Sequence, residues 1–94
     1  MHTATLEIDL HLPACRSLKA KRAVVKPLVE GLRHRYAVAV AEVDHQDRWQ
    51  RAVVGVAAVA STASHVEDVL DEVERFVWSR PDIEVLETTR RWLE

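Results

Sequence analysis

Residues 5–12 read TLEIDLHL, and this stretch alternates strictly between apolar and polar side chains. Such a period of two is typical of a β-strand that buries one face and leaves the other in water. The apolar face is formed by Leu6, Ile8, Leu10 and Leu12. Pro13 cannot donate to a strand ladder, so the strand is predicted to end there. The chain therefore begins with a strand whose apolar face another layer has to cover.

The segment after Pro13 is predicted to be a basic amphipathic helix that begins at Ser17, a favourable N-cap residue. Its apolar stripe consists of Leu18, Val25, Leu28 or Val29, Leu32 and Tyr36. The predicted solvent face carries Lys19, Lys21, Arg22, Lys26, Arg33 and Arg35. Pro27 lies inside this segment, where a proline removes one helical hydrogen bond and costs about 3 kcal/mol. We therefore expect a kink, or two helical pieces that meet near Lys26.

The remainder of the chain predicts two further strands, a second helix and a last strand. The strands cover residues 37–43 and 50–60, and the second of them is apolar on both faces through Val53, Val54, Val56 and Val59. A strand of that kind is central, or it faces a partner. The capping box Ser64–Glu67 predicts the start of the second helix, which begins at Ser61 at the earliest. The last strand is predicted over residues 83–92.

The order of these elements, β-α-β-β-α-β, is the pattern of the ferredoxin-like α+β fold, a split βαβ sandwich. Right-handed crossovers place both helices on one face of an antiparallel sheet, with the first and third strands at its centre. A length of 94 residues fits a single domain over residues 1–94.

The composition excludes several classes of protein. With 48% hydrophobic and 30% charged residues, the chain is globular rather than disordered. The longest apolar run, residues 52–60, is far shorter than the roughly 20 residues that a membrane-spanning helix needs. A single cysteine excludes an internal disulfide and a four-cysteine zinc site. The first residues, Met1-His2-Thr3, lack the basic start of a secretory signal, so a cytoplasmic protein is expected.

Two stretches resemble a known bacterial family. They are SLKAKR at residues 17–22 and AEVDHQDRWQRAV at residues 41–53. Together they are similar to the YlxP-like family, whose function is unknown, and the resemblance covers nearly the whole chain. It implies a ferredoxin-like fold. YlxP-like genes often stand beside genes for transcription elongation, translation initiation and ribosome-binding factors, which implies a link to ribosome assembly or translation by association. The family has no defined catalytic set, so the resemblance implies no residue roles.

The strongest physical signal is a separation of charge along a chain whose net charge is only −2. Residues 16–35 contain seven basic side chains and one acid, whereas residues 65–87 contain eight acids and two basic side chains. A basic helix of this kind indicates binding of RNA phosphates; alternatively, the two neighbouring helices form a lattice of ion pairs. The central strands carry no base-stacking aromatics, so contact with RNA would be led by phosphates.

The expected partner is ribosomal RNA or a ribosome-associated protein. Its candidate contacts lie on the first helix and on the hairpin between the second and third strands. They are Arg16, Lys19, Lys21, Arg22, Lys26, Arg33, Arg35, His45, Trp49 and Arg51.

Catalytic and metal-binding patterns are weak. The cluster Asp44-His45-Gln46-Asp47 offers metal ligands or an acid–base pair, but turns favour Asp for local bonding in any case. Arg16 lies where acylphosphatases place an arginine, yet the sequence contains no Asn to complete that site. Cys15, near a helix N-terminus and beside Arg16, could have a lowered pKa. We expect no enzymatic activity, no catalytic residues, no metal and no cofactor.

An alternative function is a homodimeric protein-interaction or small-ligand-binding module. If both helices cover one face of the sheet, the other face exposes apolar residues of the third strand unless something packs there. Those residues are Val54, Val56 and Ala58 or their alternates, beside the small residues Ala37, Ala39 and Ala41. The edge strand after Tyr36 offers a second way to dimerise.

Overall fold

A computed structural model describes residues 1–93 of the chain. The predicted order of elements is confirmed. The strands and helices are β1 (His2–His11), α1 (Leu18–Arg35), β2 (Ala39–Asp44), β3 (Arg51–Ala60), α2 (Ala63–Trp78) and β4 (Glu84–Trp92). The strands form one sheet in the order β2-β3-β1-β4, and every neighbouring pair is antiparallel. This is the predicted ferredoxin-like arrangement, with β1 and β3 at the centre.

The core lies between the two helices and one face of the sheet. The antiparallel register pairs Leu6 with Val56 and Ile8 with Val54, so the buried side chains of both central strands share that face. They meet the buried stripes of the helices, which include Leu28, Leu32, Leu70 and Val73. Each such side chain contributes about 1.5–3 kcal/mol through its burial.

The other face of the sheet, called here the uncovered face, has no helix against it. On β3 it presents the alternates of the buried residues, namely Arg51, Val53, Gly55, Ala57 and Val59. The prediction that β3 is central is confirmed, and its apolar residues do lie on both faces. Val54, Val56 and Ala58 belong to the core. Only their alternates could meet a partner.

Both helix starts are set by side-chain caps. The Oγ of Ser17 accepts a hydrogen bond from Ala20 N at 3.0 Å, which confirms the predicted N-cap of α1. At α2 the N-cap is Thr62, whose Oγ1 accepts from His65 N at 3.2 Å. The predicted capping box Ser64–Glu67 is therefore wrong, because Ser64 is already inside the first helical turn. The prediction of two helical pieces near Pro27 is also wrong, since α1 runs unbroken from Leu18 to Arg35.

The two edge strands are irregular. The pairing of β4 with β1 shifts between Asp9 and Leu10, and the pairing of β2 with β3 shifts between Glu42 and Asp44. A shift of this kind inserts one extra residue and bends the strand. Within residues 1–93, no helix has the length and apolar character required to cross a membrane.

Candidate functional site

Four exposed cations form a line along the outside of α1 and the loop before it. They are Arg16, Lys19, Arg22 and Lys26, and we call them the basic stripe. Their spacing of three, three and four residues keeps them on one side of a helix, over about 15 Å at the helical rise of 1.5 Å per residue. Within residues 1–93, none of the four forms an ion pair. The basic stripe is therefore an uncompensated line of positive charge.

The alternative interpretation, a lattice of ion pairs between the two helices, is not supported by residues 1–93. No ion pair in the described part of the chain joins α1 to α2. Two acids of α2 instead bind Arg90 of β4, whose Nη2 lies 2.7 Å from Asp71 Oδ1 and 2.6 Å from Glu74 Oε2. Burial opposes the charge on Arg90, but the hydrogen bonds and charges of Glu74 and Asp71 outweigh it and raise the pKa of the guanidinium. Within residues 1–93, the acids of α2 therefore form no ion pair with the basic stripe.

Lys21 was predicted on the solvent face of α1, and that placement is wrong. The residue is only 2% exposed, and its Nζ lies 2.8 Å from Glu42 Oε2 of β2 while donating a hydrogen bond to the carbonyl of His45. The contact between Lys21 and Glu42 Oε2 is an ion pair without hydrogen-bond geometry. Glu42 Oε2 has no hydrogen-bond partner among the described residues. Lys21 thus ties α1 to β2 and to the hairpin.

Arg33 and Arg35, at the C-terminal end of α1, are engaged within the protein. The Nη2 of Arg33 donates to the carbonyl of Val40 at 2.6 Å. The guanidinium of Arg35 lies over the ring of Phe76, 4.9 Å from its centroid. Neither side chain is buried, but each has a partner that a ligand would have to share.

The hairpin between β2 and β3 is fastened to the loop that precedes α1. His45 adopts a left-handed backbone with φ of 60°, and its carbonyl accepts from Arg48 N at 3.0 Å as well as from Lys21. Gln50 Nε2 donates to the carbonyl of Cys15 at 3.3 Å and to that of Pro13 at 3.4 Å. The hairpin is thereby held next to the N-terminal end of the basic stripe.

The exposed side chains of the hairpin include those of Arg48 and Trp49. Trp49 is 53% exposed and does not close an end of the core. Arg48 was not among the predicted contacts, although its position beside Trp49 in the sequence was a signal that could have identified it.

Arg51 lies apart from the other predicted contacts. Its Nη2 binds both carboxylate oxygens of Asp9, at 2.9 and 2.8 Å, on the uncovered face of the sheet. Arg51 therefore lies on the face of the sheet opposite to α1. Its charge is balanced by Asp9.

Cys15 lacks the lowered pKa considered for it. The side chain is buried, and burial together with the nearby charge of Asp82 raises the pKa of the thiol, while Lys21 only partly opposes them.

The candidate metal site in the turn is the cluster Asp44-His45-Gln46-Asp47. His45 Nδ1 and Asp44 Oδ1 are 3.9 Å apart, and no group of three or more potential metal ligands occurs in residues 1–93.

Two of the concave surfaces of the protein border β2. A groove of about 460 Å³ separates α1 from β2, and it is lined by Arg22 and Lys26 of the basic stripe as well as by Glu30 and Glu42. A shallower apolar concavity of about 410 Å³ lies on the uncovered face around Gly55 and Val43. The first adjoins the basic stripe, whereas the second is on the far side of the sheet.

Comparisons with known proteins agree with the fold. The model of a family described as "Protein of unknown function (DUF503)" matches residues 3–90. The uncharacterized protein YlxP of Bacillus subtilis (strain 168) is 40% identical over 76 residues, which cover 81% of this chain and 83% of that protein. The solution NMR structure of a de novo designed protein with a ferredoxin fold superposes with a TM-score of 0.55 at 12% identity, covering 100% of this chain and 87% of the designed one. At that identity the designed protein supports the fold alone.

Proposed function

The chain belongs to the DUF503 family of proteins of unknown function, and from that premise we propose that it is a non-enzymatic protein that binds structured RNA through its basic stripe. Ribosomal RNA, alone or with a ribosome-associated protein, is the partner that the YlxP-like resemblance implies. The observation that carries the proposal is the line of four exposed cations, none of which forms an ion pair with a residue that the structure describes.

Phosphates are the chemistry that such a line fits. A cation that neutralises a phosphate releases condensed counterions, so binding to nucleic acid weakens with salt in proportion to the number of contacts. The sheet does not offer the alternative route by which related folds bind RNA. Its uncovered face carries Glu7, Asp9 and small apolar residues on the central strands instead of aromatic rings. These features favour recognition of phosphates and shape over recognition of base sequence.

The test is a charge reversal that leaves Lys21 in place, because replacing this buried lysine would destabilise the domain. We choose Lys19→Glu with Arg22→Glu, two exposed positions of α1. Glutamate is about as good a helix former as lysine or arginine, and acids are favourable near a helix N-terminus. The matched control is Arg75→Glu with Arg91→Glu, which makes the same change in net charge at exposed positions away from the basic stripe.

Affinity for a structured RNA is measured by filter binding at two salt concentrations. With four phosphate contacts, wild-type affinity should fall roughly 150-fold between about 50 and about 200 mM salt, and with two contacts roughly 12-fold. The reversed variant should bind more weakly and show the smaller salt effect, while the control retains the wild-type effect. Equal losses in both variants, or no salt dependence in the wild type, would contradict the proposal.

A further inference from the structure

Trp49 is an exposed aromatic side chain on the hairpin that is bonded to the loop before α1. The indole is 53% exposed, on a hairpin that carries no core side chain. The other two tryptophans lie in other elements, Trp78 at the end of α2 and Trp92 in the edge strand β4. Trp49 is thus the tryptophan whose hairpin is bonded to the segment in which the basic stripe begins.

The position of Trp49 is fixed by contacts on both sides of it. Gln50, the next residue, donates to the carbonyl of Cys15, which directly precedes Arg16 of the basic stripe. On the other side, the carbonyl of His45 accepts from Lys21, which lies in α1 between Lys19 and Arg22. Both arms of the hairpin are therefore bound to residues that adjoin the stripe, so the backbone that carries Trp49 is held close to its first cation, Arg16.

The charges around the indole also suit nucleic acid. Arg48 precedes Trp49 and forms no ion pair within residues 1–93, and Arg16 lies across the contact made by Gln50. Asp47 is the acid nearest in sequence, and it is exposed on the turn. Aromatic rings flanked by free arginines are the usual means by which proteins stack unpaired bases while holding the backbone.

We infer that Trp49 stacks on an unpaired nucleobase, so that the RNA bound by this protein carries a bulged or looped nucleotide beside a helical segment. The inference rests on the proposed function, because the basic stripe holds the helical phosphates while Trp49 selects for the unpaired base. Stacking on an aromatic ring is expected to favour a bulged RNA over the continuous duplex by roughly 5- to 150-fold.

The experiment compares two RNAs of identical stem sequence, one continuous and one with a single bulged adenosine. Affinities are measured for the wild type, Trp49→Ala and Trp49→Phe, with Trp78→Ala as a control that removes an exposed tryptophan elsewhere. Thermal melts establish that each variant is folded. In a Trp78→Phe, Trp92→Phe background, the fluorescence of Trp49 reports stacking directly.

The wild type and Trp78→Ala should prefer the bulged RNA, and its addition should quench Trp49. Trp49→Ala should bind both RNAs alike and keep the salt dependence of the duplex, whereas Trp49→Phe should keep part of the preference. If the wild type binds both RNAs equally, or Trp49→Ala keeps the preference, stacking is wrong while RNA binding through the stripe stands. If neither RNA binds with salt dependence, the proposed function fails and stacking fails with it.

Discussion

Gly55 lies in the middle of the central strand β3, beneath the side chain of Val43. A Cβ added to Gly55 would come within 2.8 Å of Val43 Cγ1, closer than carbon atoms approach without displacement. Because Val43 is β-branched and has few rotamers to escape into, Gly55→Ala should lower the free energy of unfolding by about 1–2 kcal/mol. Urea unfolding followed by circular dichroism measures the change.

The effect of the same substitution on the free energy of unfolding should change sign when Val43 is shortened. In a Val43→Ala background the clash is absent, and glycine in a strand is itself unfavourable by roughly 0.5–1 kcal/mol relative to alanine. Gly55→Ala is then expected to be neutral or stabilising. A loss of stability as large in this background as in the wild type would mean that Val43 does not set the space above Gly55.

Lys21 illustrates what can and cannot be predicted for a single residue. Counting back four from Val25 puts Lys21 on the buried stripe of α1, so helical periodicity contained the signal. Its charge argued for the opposite face, and the acid that makes burial tolerable, Glu42, is 21 residues further along the chain. Contacts between residues so distant in sequence depend on tertiary structure, and local patterns do not carry them.

At the scale of the elements, α1 is joined to β2 by Lys21 near one end and by Arg33 near the other. Lys21→Ala would leave Glu42 without its cation and the carbonyl of His45 without one donor. Breaking a buried ion pair by removing one partner should cost about 3–5 kcal/mol, a large part of the 5–15 kcal/mol that is typical of a whole domain. The midpoint of urea unfolding should fall accordingly.

Two comparisons make this prediction specific. Lys19→Ala, at an exposed position of the same helix, should change stability by less than about 0.5 kcal/mol. Replacing both members of the pair by apolar residues, Lys21→Met with Glu42→Leu, should recover much of the loss because no charge remains uncompensated. If Lys21→Ala is no worse than Lys19→Ala, the contact does not hold α1 to β2.

Elements were predicted better than their ends. The apolar periods of β1, α1 and α2 are long enough to identify each element, and their stripes are buried as expected. The start of α2 was misplaced because Ser64 and Glu67 match the sequence pattern of a capping box. In the structure it is Thr62 that caps the helix. In β4 the alternation is interrupted where the pairing with β1 shifts, and such a shift depends on the partner strand rather than on the sequence of β4 itself.

For the whole molecule, the order of elements was sufficient to predict the sheet topology. It was not sufficient to predict which face of β3 is buried. Both faces of β3 are apolar, so only its register with β1 decides that Val54 and Val56 are internal while Val53 and Val59 are external. The basic stripe could likewise be located from charge spacing, but whether the acids of α2 pair with it depends on the tertiary structure, in which Asp71 and Glu74 bind Arg90.

The residues of β3 that lie outside the core decide how well a homodimer could form through the uncovered face. The apolar part of this face spans two strands, which at strand spacings of about 5 Å is roughly 300 Å². Stable interfaces bury about 800 Å² on each partner, so we expect a monomer at concentrations on the order of 10 µM. Sedimentation velocity measures the mass. A dimer at that concentration would contradict the estimate, and its loss in Val59→Lys would assign it to this face.

The bond between Arg33 and Val40 has a consequence for the behaviour of the protein among many copies of itself. Val40 and Glu42 are two residues apart on the outermost strand β2, and their carbonyls accept from Arg33 Nη2 at 2.6 Å and from Gln46 Nε2 at 3.4 Å. Bare edge carbonyls are a template on which another extended chain adds, as in domain swapping and fibril growth. Because these acceptors are occupied, and one of them by the charged Arg33, another extended chain is less able to pair with β2. The small apolar residues of β2 can therefore be exposed without promoting aggregation.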